Sequence, residues 1–378
     1  VIKLAVVAAG FTPGEADSLR RAMGAWRRHG NLSDYEEMLV NGMRERGYPE
    51  AFAKQIYRQI LGFGEYGFPE AHAASFALLV YVSAWLKYYQ PAAFTCALLN
   101  SQPMGFYAPA QLIQDVRRHG VQVKPIDVTV SDWESTLEQS GETLALRLGL
   151  HMINGFSQTG AAHLLNARAD RAFRDLQDFA QRTRLNKTDL QALAAANAFM
   201  ALLRSHRKMA YWEVAGISPP TPILNRTYFN EGTPMIPKAT PVDDVHADYA
   251  SIGLTLGPHP LALIRPILYG LGLSTREELY RQSHGQAAKV AGLVIARQRP
   301  ASANNVTFVT LEDETGSINL VVWKKIAEQY ASILLGTSVI SASGEIQREG
   351  DILHLVTDQL IDLSYLLDNL TTQSRNFC

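Results

Sequence analysis

Cysteine is almost missing from this sequence: Cys96 and Cys378 are the only two in 378 residues, 282 positions apart. Such a pair supports neither a disulfide framework nor a four-thiolate zinc site, and the chain is expected to be intracellular. Net charge is missing too. Lysine and arginine number 35 against 36 aspartates and glutamates, which excludes a uniformly basic nucleic-acid coat but not a local patch. Long apolar runs are lacking. The most apolar stretch, residues 73–89, holds no uninterrupted run beyond the seven residues 76–82, before Ser83. A membrane span needs ~20 apolar residues, so this stretch is expected to be a buried core helix, with no membrane partner. Catalytic signatures are lacking as well. No Asp-x-Asp, phosphate-binding loop, Gly-x-Ser-x-Gly or His-Glu-x-x-His occurs, and the ten histidines are scattered singly. No catalytic residue and no metal ligand set is therefore assigned. The start, Val1-Ile2-Lys3-Leu4, has neither an initiator methionine nor a signal-peptide pattern, so a piece of a longer polypeptide is expected.

What is present is enough apolar material, 47% of residues against 19% charged, for two to three cored domains. Residues 1–130 read as a mostly helical domain. Thr12-Pro13-Gly14-Glu15 and Ser33-Asp34-Tyr35-Glu36 have capping-box spacing. Phe52, Ile56 and Ile60 recur on one face of a helix begun at Pro49, and further helices are expected over 92–99 and 110–119. A short β-prone interval follows at 121–123 and 144–148, then helices at 158–167, 173–183, 188–196 and 197–210. Six prolines between 219 and 241 mark residues 213–285 as a linker and connecting segment.

From 288 the apolar period changes to two. Strands are expected at 288–297, 306–312, 317–323, 338–347 and 352–357, with a tight turn at 313–316 and a helix over 324–334. That order predicts an all-β OB-fold barrel over 286–360, followed by a tail, 361–378. Asp243-Asp244 and Glu312-Asp313-Glu314 are the nearest things to acidic clusters, and both are expected to be solvated turn residues.

Anion-binding groups are the remaining candidates. Arg20 and Arg27 form one helical stripe and Arg21 and Arg28 its neighbour, suited to a triphosphate or a DNA backbone, or else a solvated face ion-paired with Glu15 and Asp17. His72 stands at the mouth of the apolar helix. Residues 150–162 put a short turn, containing Gly155 and Ser157, before Gly160, between two helical stretches. This is the plan of a helix–hairpin–helix, whose exposed N–H groups hold phosphate. A second unit is read across 185–199, with Asn186 or Thr188 as cap. Positions 168–208 carry nine basic residues against four acidic ones, Arg182, Arg184 and Lys187 among them, so a polyanion-facing surface is expected there. On the barrel, Phe308 and Trp323 are either base-stacking aromatics or core residues, with Lys324, Lys325, Arg297 and Arg299 at the rim. The balance of 12 basic to 17 acidic residues over 213–378 argues against a strongly basic groove.

Long segments of the chain resemble the C-terminal part of bacterial C-family DNA polymerases, the DNA polymerase III alpha-subunit type, and within them the error-prone branch. They include Phe11-Thr12-Pro13-Gly14-Glu15-Ala16-Asp17-Ser18-Leu19-Arg20-Arg21, Gly64-Glu65-Tyr66-Gly67-Phe68-Pro69-Glu70-Ala71-His72, Leu98-Leu99-Asn100-Ser101-Gln102-Pro103-Met104-Gly105-Phe106-Tyr107 and Arg117-Arg118-His119-Gly120-Val121. The resemblance implies a division of labour. Residues 1–130 would be the distal fingers, with Arg20, Arg21, Arg27 and His72 near the incoming deoxynucleoside triphosphate. Residues 131–212 would be the tandem helix–hairpin–helix region gripping duplex DNA, and the barrel would lie near the single-stranded template. It also implies Mg²⁺ held by palm carboxylates absent here, primer–template DNA as partner, a sliding clamp or accessory translesion proteins as further partners, and a cytoplasmic, nucleoid-associated location. No clamp-binding peptide is recognisable in 213–250. A non-catalytic DNA-repair scaffold and an unrelated enzyme of a phosphorylated substrate are the competing readings.

Overall fold

In the computed structural model Glu15 accepts hydrogen bonds from the Thr12 N–H and hydroxyl, both at 2.8 Å, while Thr12 Oγ1 accepts from the Glu15 N–H at 3.3 Å. The expected capping box thus closes reciprocally and starts the second of the five helices found among the described residues of the first unit, Val1–Tyr89. They are α1 (Ile2–Ala9), α2 (Pro13–His29), α3 (Ser33–Glu45), α4 (Glu50–Tyr66) and α5 (Glu70–Tyr89). The structure describes residues 2–29, 33–66, 70–104, 107–217, 234–300, 306–350, 352–367 and 375–377, without the side chains of 23–29, 33–34, 61–66, 70–72 and 375–377.

The core of this unit gathers Ala5, Ala9 and Phe11 with Ala16 and Leu19 of α2, Leu39, Val40 and Met43 of α3, and Ala53, Tyr57 and Ile60 of α4. Two expectations change here. Ile60 turns inward on α4 as expected and Ile56 packs half-buried against the core, but Ala53 and Tyr57 join them while Phe52 is 43% exposed; the inward stripe is shifted because α2 and α3 are the helices that meet α4. The second concerns α5, expected to be buried. All its described side chains, 73–89, are exposed, because the core of α1 to α4 closes without it.

The second unit, Gln90–Cys378, takes in α6 (Pro91–Asn100) and α7 (Pro109–Arg118), so the helical domain expected to run to 130 divides at 89/90. The reason is a sheet. Asn100 exchanges two hydrogen bonds with the Ser135 backbone, at 2.9 and 2.8 Å, and the Cys96 thiol donates to Ser135 O. These bonds tie α6 to β1 (Val123–Lys124), β2 (Thr136–Ser140) and β3 (Thr143–Arg147), a sheet of order β1-β3-β2. Packed on the same core are α8 (Gln158–Asp170), α9 (Leu176–Thr183), α10 (Lys187–Ala195), α11 (Met200–Leu203) and α12 (Arg207–Gly216). Phe179 sits at its centre, edge-on to Phe173 at 4.8 Å and to Phe199 at 5.1 Å between centroids.

The expected linker is substantially helical: α13 (Pro241–Ile252), α14 (Pro260–Gly270) and α15 (Arg276–Tyr280). Pro241 and Pro260 occupy first helical positions, where the missing N–H costs nothing. The density of proline over this stretch partly signalled helix starts, while residues 218–233 lie outside the described ones. Asp243 and Asp244 are accordingly corrected from turn residues to the first turn of α13. Asp243 accepts from the Thr240 N–H, and Asp244 pairs with buried Arg207 at 3.1 Å.

The barrel consists of β4 (Ala287–Gln298), β5 (Thr307–Asp313), β6 (Gly316–Val322), β7 (Val339–Glu349) and β8 (Ile352–Asp362), with α16 (Lys324–Gln329) and α17 (Ala331–Gly336) after its third strand. The order β5-β6-β8-β7-β4 closes through a β4–β5 pairing, and β9 (Arg375–Phe377) lies parallel to the end of β4. This is the expected OB-fold, with β8 five residues longer than foreseen. A β-bulge at Val294/Ala296 lets β4 leave β7 and turn onto β5.

Glu312 and Asp313 are corrected from solvated to buried, and Glu314 to half-buried. Asp313 is wholly enclosed and accepts from the Thr315 and Gly316 N–H groups and from the N–H of Arg276. Glu314 takes a two-pronged contact from Arg265 of α14, at 2.5 and 2.7 Å. Burial pushes the Glu314 carboxyl up, but the Arg265 hydrogen bonds and charge outweigh it and hold it below the usual range. The hairpin turn is thus the socket that fastens α14 and α15 to the barrel.

Candidate nucleic-acid interface

The first hairpin turn is built between a 3₁₀ turn, Leu150–Met152, and α8. Ile153 and Phe156 are buried beneath it, and Gly155 takes φ +77°, a conformation that side chains rarely adopt. Asn154 is pinned from outside, its N–H donating to Ser251 O at 2.7 Å and its amide to Ala250 O at 2.9 Å. Ser157 is the N-cap of α8; its hydroxyl accepts from the Gly160 N–H at 2.9 Å.

The second turn runs from Arg184, the left-handed C-cap of α9 at φ +51°, to Asn186, the N-cap of α10. Of the two caps considered, the structure uses Asn186 and not Thr188. The turns are joined by Asp189, which is 3% exposed. Its carboxylate accepts from the Ser157 N–H and hydroxyl, each at 3.0 Å, and from the Asn186 amide at 2.9 Å. Gly160 permits the join: a Cβ there would lie 2.8 Å from Asp189 Oδ2 and 2.9 Å from Ser157 Oγ. The result is two helix N-termini held side by side.

This join alters which amides can meet phosphate. The N–H groups of Ser157 and Gly160 are consumed internally. Among the described residues, those of Gly155, Gln158 and Thr159 at the first turn, and of Lys187 and Thr188 at the second, have no protein acceptor. Ser157 and Gly160 therefore organise the site rather than line it.

The basic surface also contracts. Arg182 is corrected from a DNA contact to a structural group. Its side chain is 15% exposed, donates to the carbonyls of Ala167, Arg171 and Ala172, reaches Asp178 at 3.3 Å and lies over the Phe173 ring. Arg171 and Arg174 converge on the same carboxylate, at 2.6 and 3.4 Å. Burial raises the pKa of Asp178, but the Arg171 hydrogen bond, the Arg174 N–H and the surrounding guanidinium charge bring it down to about 2. Arg168 is paired with Asp132, Arg207 with Asp244 and Asp248, and Lys208 with Asp243. Six of the nine basic residues are thus committed. Arg184, Lys187 and Arg204 are exposed and form no ion pair among the described residues. Arg204, like Arg184, is a left-handed C-cap, at φ +50°. Sequence reasoning passed over Arg204, although its place after an apolar helix was the available signal.

On the barrel, Val309, Leu311, Ile318, Leu320 and Val322 point into the core. Phe308 has the opposite parity, so it lies on the outer face, half-buried, opposite Gln298 and Val321. Thr310 and Asn319 share that face and are hydrogen-bonded at 3.4 Å. Trp323, one residue beyond β6, is 54% exposed and begins α16, followed by exposed Lys324 and Lys325. Lys324 has only Glu328 nearby, at 3.8 Å. Phe308 thus lies on the outer face of β5, and exposed Trp323, Lys324 and Lys325 follow the end of β6. Arg297 is corrected from the rim to the interior: it is 8% exposed and donates to Leu334 O and Thr337 O.

In the first unit Arg20 and Arg21 project to solvent and share one carboxylate, Asp17, at 2.9 and 3.2 Å. The ion-paired alternative holds for Asp17, while Glu15 is occupied by its cap. The side chains of Arg27 and His72 lie outside the described residues. Among the described residues no helix is long and apolar enough to cross a membrane, and no group of three or more histidine, cysteine, aspartate or glutamate side chains is arranged to hold a metal ion.

Three family models match in the order of these parts. Residues 1–47 match the bacterial DNA polymerase III alpha subunit finger domain, 120–210 a helix-hairpin-helix motif, and 288–363 an OB-fold nucleic acid binding domain. The class is therefore that of DNA polymerase III alpha-type chains. An error-prone DNA polymerase of Methylococcus capsulatus is 53% identical over the whole of this chain and 38% of its own length. One from Alkalilimnicola ehrlichii is likewise 53% identical, over the whole chain and 37% of its own length, and one from Pseudomonas savastanoi is 47% identical over the same shares. The chain belongs to the error-prone DNA polymerase family and spans a little over a third of the length of the curated relatives it matches.

Proposed function

We propose that this chain is the nucleotide-positioning and DNA-holding portion of an error-prone DNA polymerase acting in damage-tolerant synthesis. The single observation that carries the reading is identity of about one half, sustained along all 378 residues, to polymerases of that name. The two hairpin turns would hold the sugar–phosphate backbone of the duplex through the open amides of Gly155, Gln158, Thr159, Lys187 and Thr188, with Arg184, Lys187 and Arg204 as cations. Such contacts position DNA without reading its sequence. Phe308, Trp323 and Lys324 would take the single-stranded template by stacking and charge. Arg20 and Arg21 would exchange their shared Asp17 for the triphosphate of an incoming deoxynucleotide. Recruitment by a sliding clamp or accessory translesion proteins, and residence at the nucleoid, belong to the same reading.

Mg²⁺, the metal expected of the intact family, finds no fit in this part of the polypeptide: the described residues offer no cluster of acidic ligands. No chemical step is therefore routed through a metal here, and the chain by itself is proposed not to extend primers.

The test uses a chimera in which this chain replaces the matching third of the Methylococcus capsulatus relative. The chimera should extend a primed template with Mg²⁺ and deoxynucleotides, and the 378-residue chain should bind the same DNA without extending it. Arg20→Ala and Arg21→Ala in the chimera should raise KM for deoxynucleotide with primer–template affinity kept. Extension by the 378 residues alone, or a chimera that binds DNA and stays inactive, overturns the proposal.

A further inference from the structure

The first unit contains a helix that has no surface character. Between Ala73 and Tyr89, α5 carries one charged side chain, Lys87, and its large residues are solvent-facing on every side. Leu78, Leu79, Val80, Tyr81 and Val82 are five in succession, and each is 47–71% exposed. Successive helix positions are about 100° apart, so these five sweep past a full turn. Trp85, Tyr88 and Tyr89 continue the pattern, and among the described residues their ring contacts run along the helix itself, with centroids 4.8–5.0 Å apart. A helix at the edge of a domain shows an apolar stripe and a polar one. A helix apolar all round belongs in the interior.

Several occupants could cover it. The core formed by α1 to α4 leaves it out. A lipid bilayer is unsuited, because Ser83 and Lys87 interrupt the apolar sequence and no described helix has the length and hydropathy of a span. A second copy of the chain would cover only the side it touches and leave the rest wet. Only an enclosing polypeptide buries all sides. The matched relatives carry more than three-fifths of their length beyond the part this chain aligns with, which is ample material for such an enclosure.

We propose that α5 is an interior helix of a larger core, and that the polypeptide surrounding it is the remainder of the polymerase chain. The inference rests on the reading given under Proposed function and adds to it the surface through which the two parts join. The nucleotide-facing unit would then be anchored to the rest of the polymerase by α5 rather than by the polar α2 that bears Arg20 and Arg21.

Thiol accessibility tests this. In a Cys378→Ser background, where Cys96 is buried, Tyr81→Cys and, separately, Arg281→Cys are labelled with a maleimide and quantified by peptide mass. In the 378-residue chain both positions should react at comparable rates, independent of protein concentration. In the Methylococcus chimera, position 81 should slow at least tenfold and position 281 should not change. Leu79→Asp provides a second reading, leaving the melting temperature of the 378-residue chain unchanged while lowering that of the chimera. Labelling of position 81 within twofold in the two proteins overturns the inference. So does protection already present in the 378-residue chain, whether constant, which means that the chain covers its own helix, or rising with concentration, which means a second copy. Primer extension is read separately: a chimera that protects position 81 but does not extend a primer sinks the proposed activity and leaves the join standing.

Discussion

Changing Asp178 to asparagine removes one charge from the centre of the helical core and nothing from its shape. The carboxylate is 4% exposed, receives Arg171 at 2.6 Å, Arg174 at 3.4 Å and Arg182 at 3.3 Å, and accepts the Arg174 N–H at 3.1 Å. Its pKa falls from 3.8 to about 2, a preference for the ionised form worth at most ~2.5 kcal/mol at pH 7. Arg171 and Arg174 are themselves 45% and 63% exposed, so water and salt screen part of that, leaving about 1–2 kcal/mol. The sign follows from the depressed value. The contribution is fully present above pH 4 and is lost as the pH falls from 4 through 2. Urea unfolding of the chain and of Asp178→Asn should therefore differ in midpoint, with equal slopes, by about 1–2 kcal/mol at pH 7. The gap should close on acidification to pH 2. Two curves that stay parallel from pH 7 to pH 2 refute the reasoning, because the loss would then owe nothing to ionisation.

Four further outcomes are expected. Gly160→Ala, which in an ordinary helix would stabilise by ~1 kcal/mol, should instead destabilise by about 1–3 kcal/mol, since its Cβ would lie 2.8 Å from Asp189 Oδ2; thermal melting gives the sign, and duplex affinity should drop with it. Charge reversal at Arg184, Lys187 and Arg204 should weaken duplex binding and flatten its salt dependence by roughly 0.9 per lost phosphate contact, whereas an unchanged slope in a salt titration would put the contacts elsewhere. Trp323→Ala should cost ~1–3 kcal/mol in single-strand affinity and leave the circular dichroism of the barrel intact; equal affinity removes Trp323 from the interface. Arg265→Leu strands Glu314 and Asp313 without their cation and should lower stability by ~3–5 kcal/mol, as followed by denaturant unfolding, with Glu314→Gln in the same background recovering part of the loss.

The barrel was legible because a half-buried strand alternates by two and each barrel strand is bounded by turn residues. Even the helix after the third strand announced itself. The cap at Thr12 was legible for the same local reason, since a cap needs only its own first turn, and the second hairpin cap was narrowed to Asn186 or Thr188. Phe308 was not: alternation showed that it opposes Val309, but which parity faces inward is set by the closure of β5 onto β4. Arg182 and Arg297 failed differently. A basic residue in a basic stretch looks like a phosphate ligand; the i,i+4 spacing of Asp178 and Arg182 on α9 was a local signal of pairing that went unused, whereas nothing local reveals that the Leu334 carbonyl waits for Arg297 across the fold.

Composition and spacing by themselves determined the order of parts, the helical first half and the alternation of the five barrel strands, because caps, turns and periodicity are written in neighbouring residues. Tertiary structure alone decided which cations remain free for a polyanion. Arg168, Arg207 and Lys208 pair with carboxylates far along the chain, Asp132, Asp248 and Asp243, and Arg171, Arg174 and Arg182 converge on the nearby Asp178, so the basic surface shrank from nine positions to Arg184, Lys187 and Arg204. It also decided the fate of α5. Hydropathy marks a helix as fit for an interior, but only the packed coordinates reveal whether the surrounding residues supply that interior.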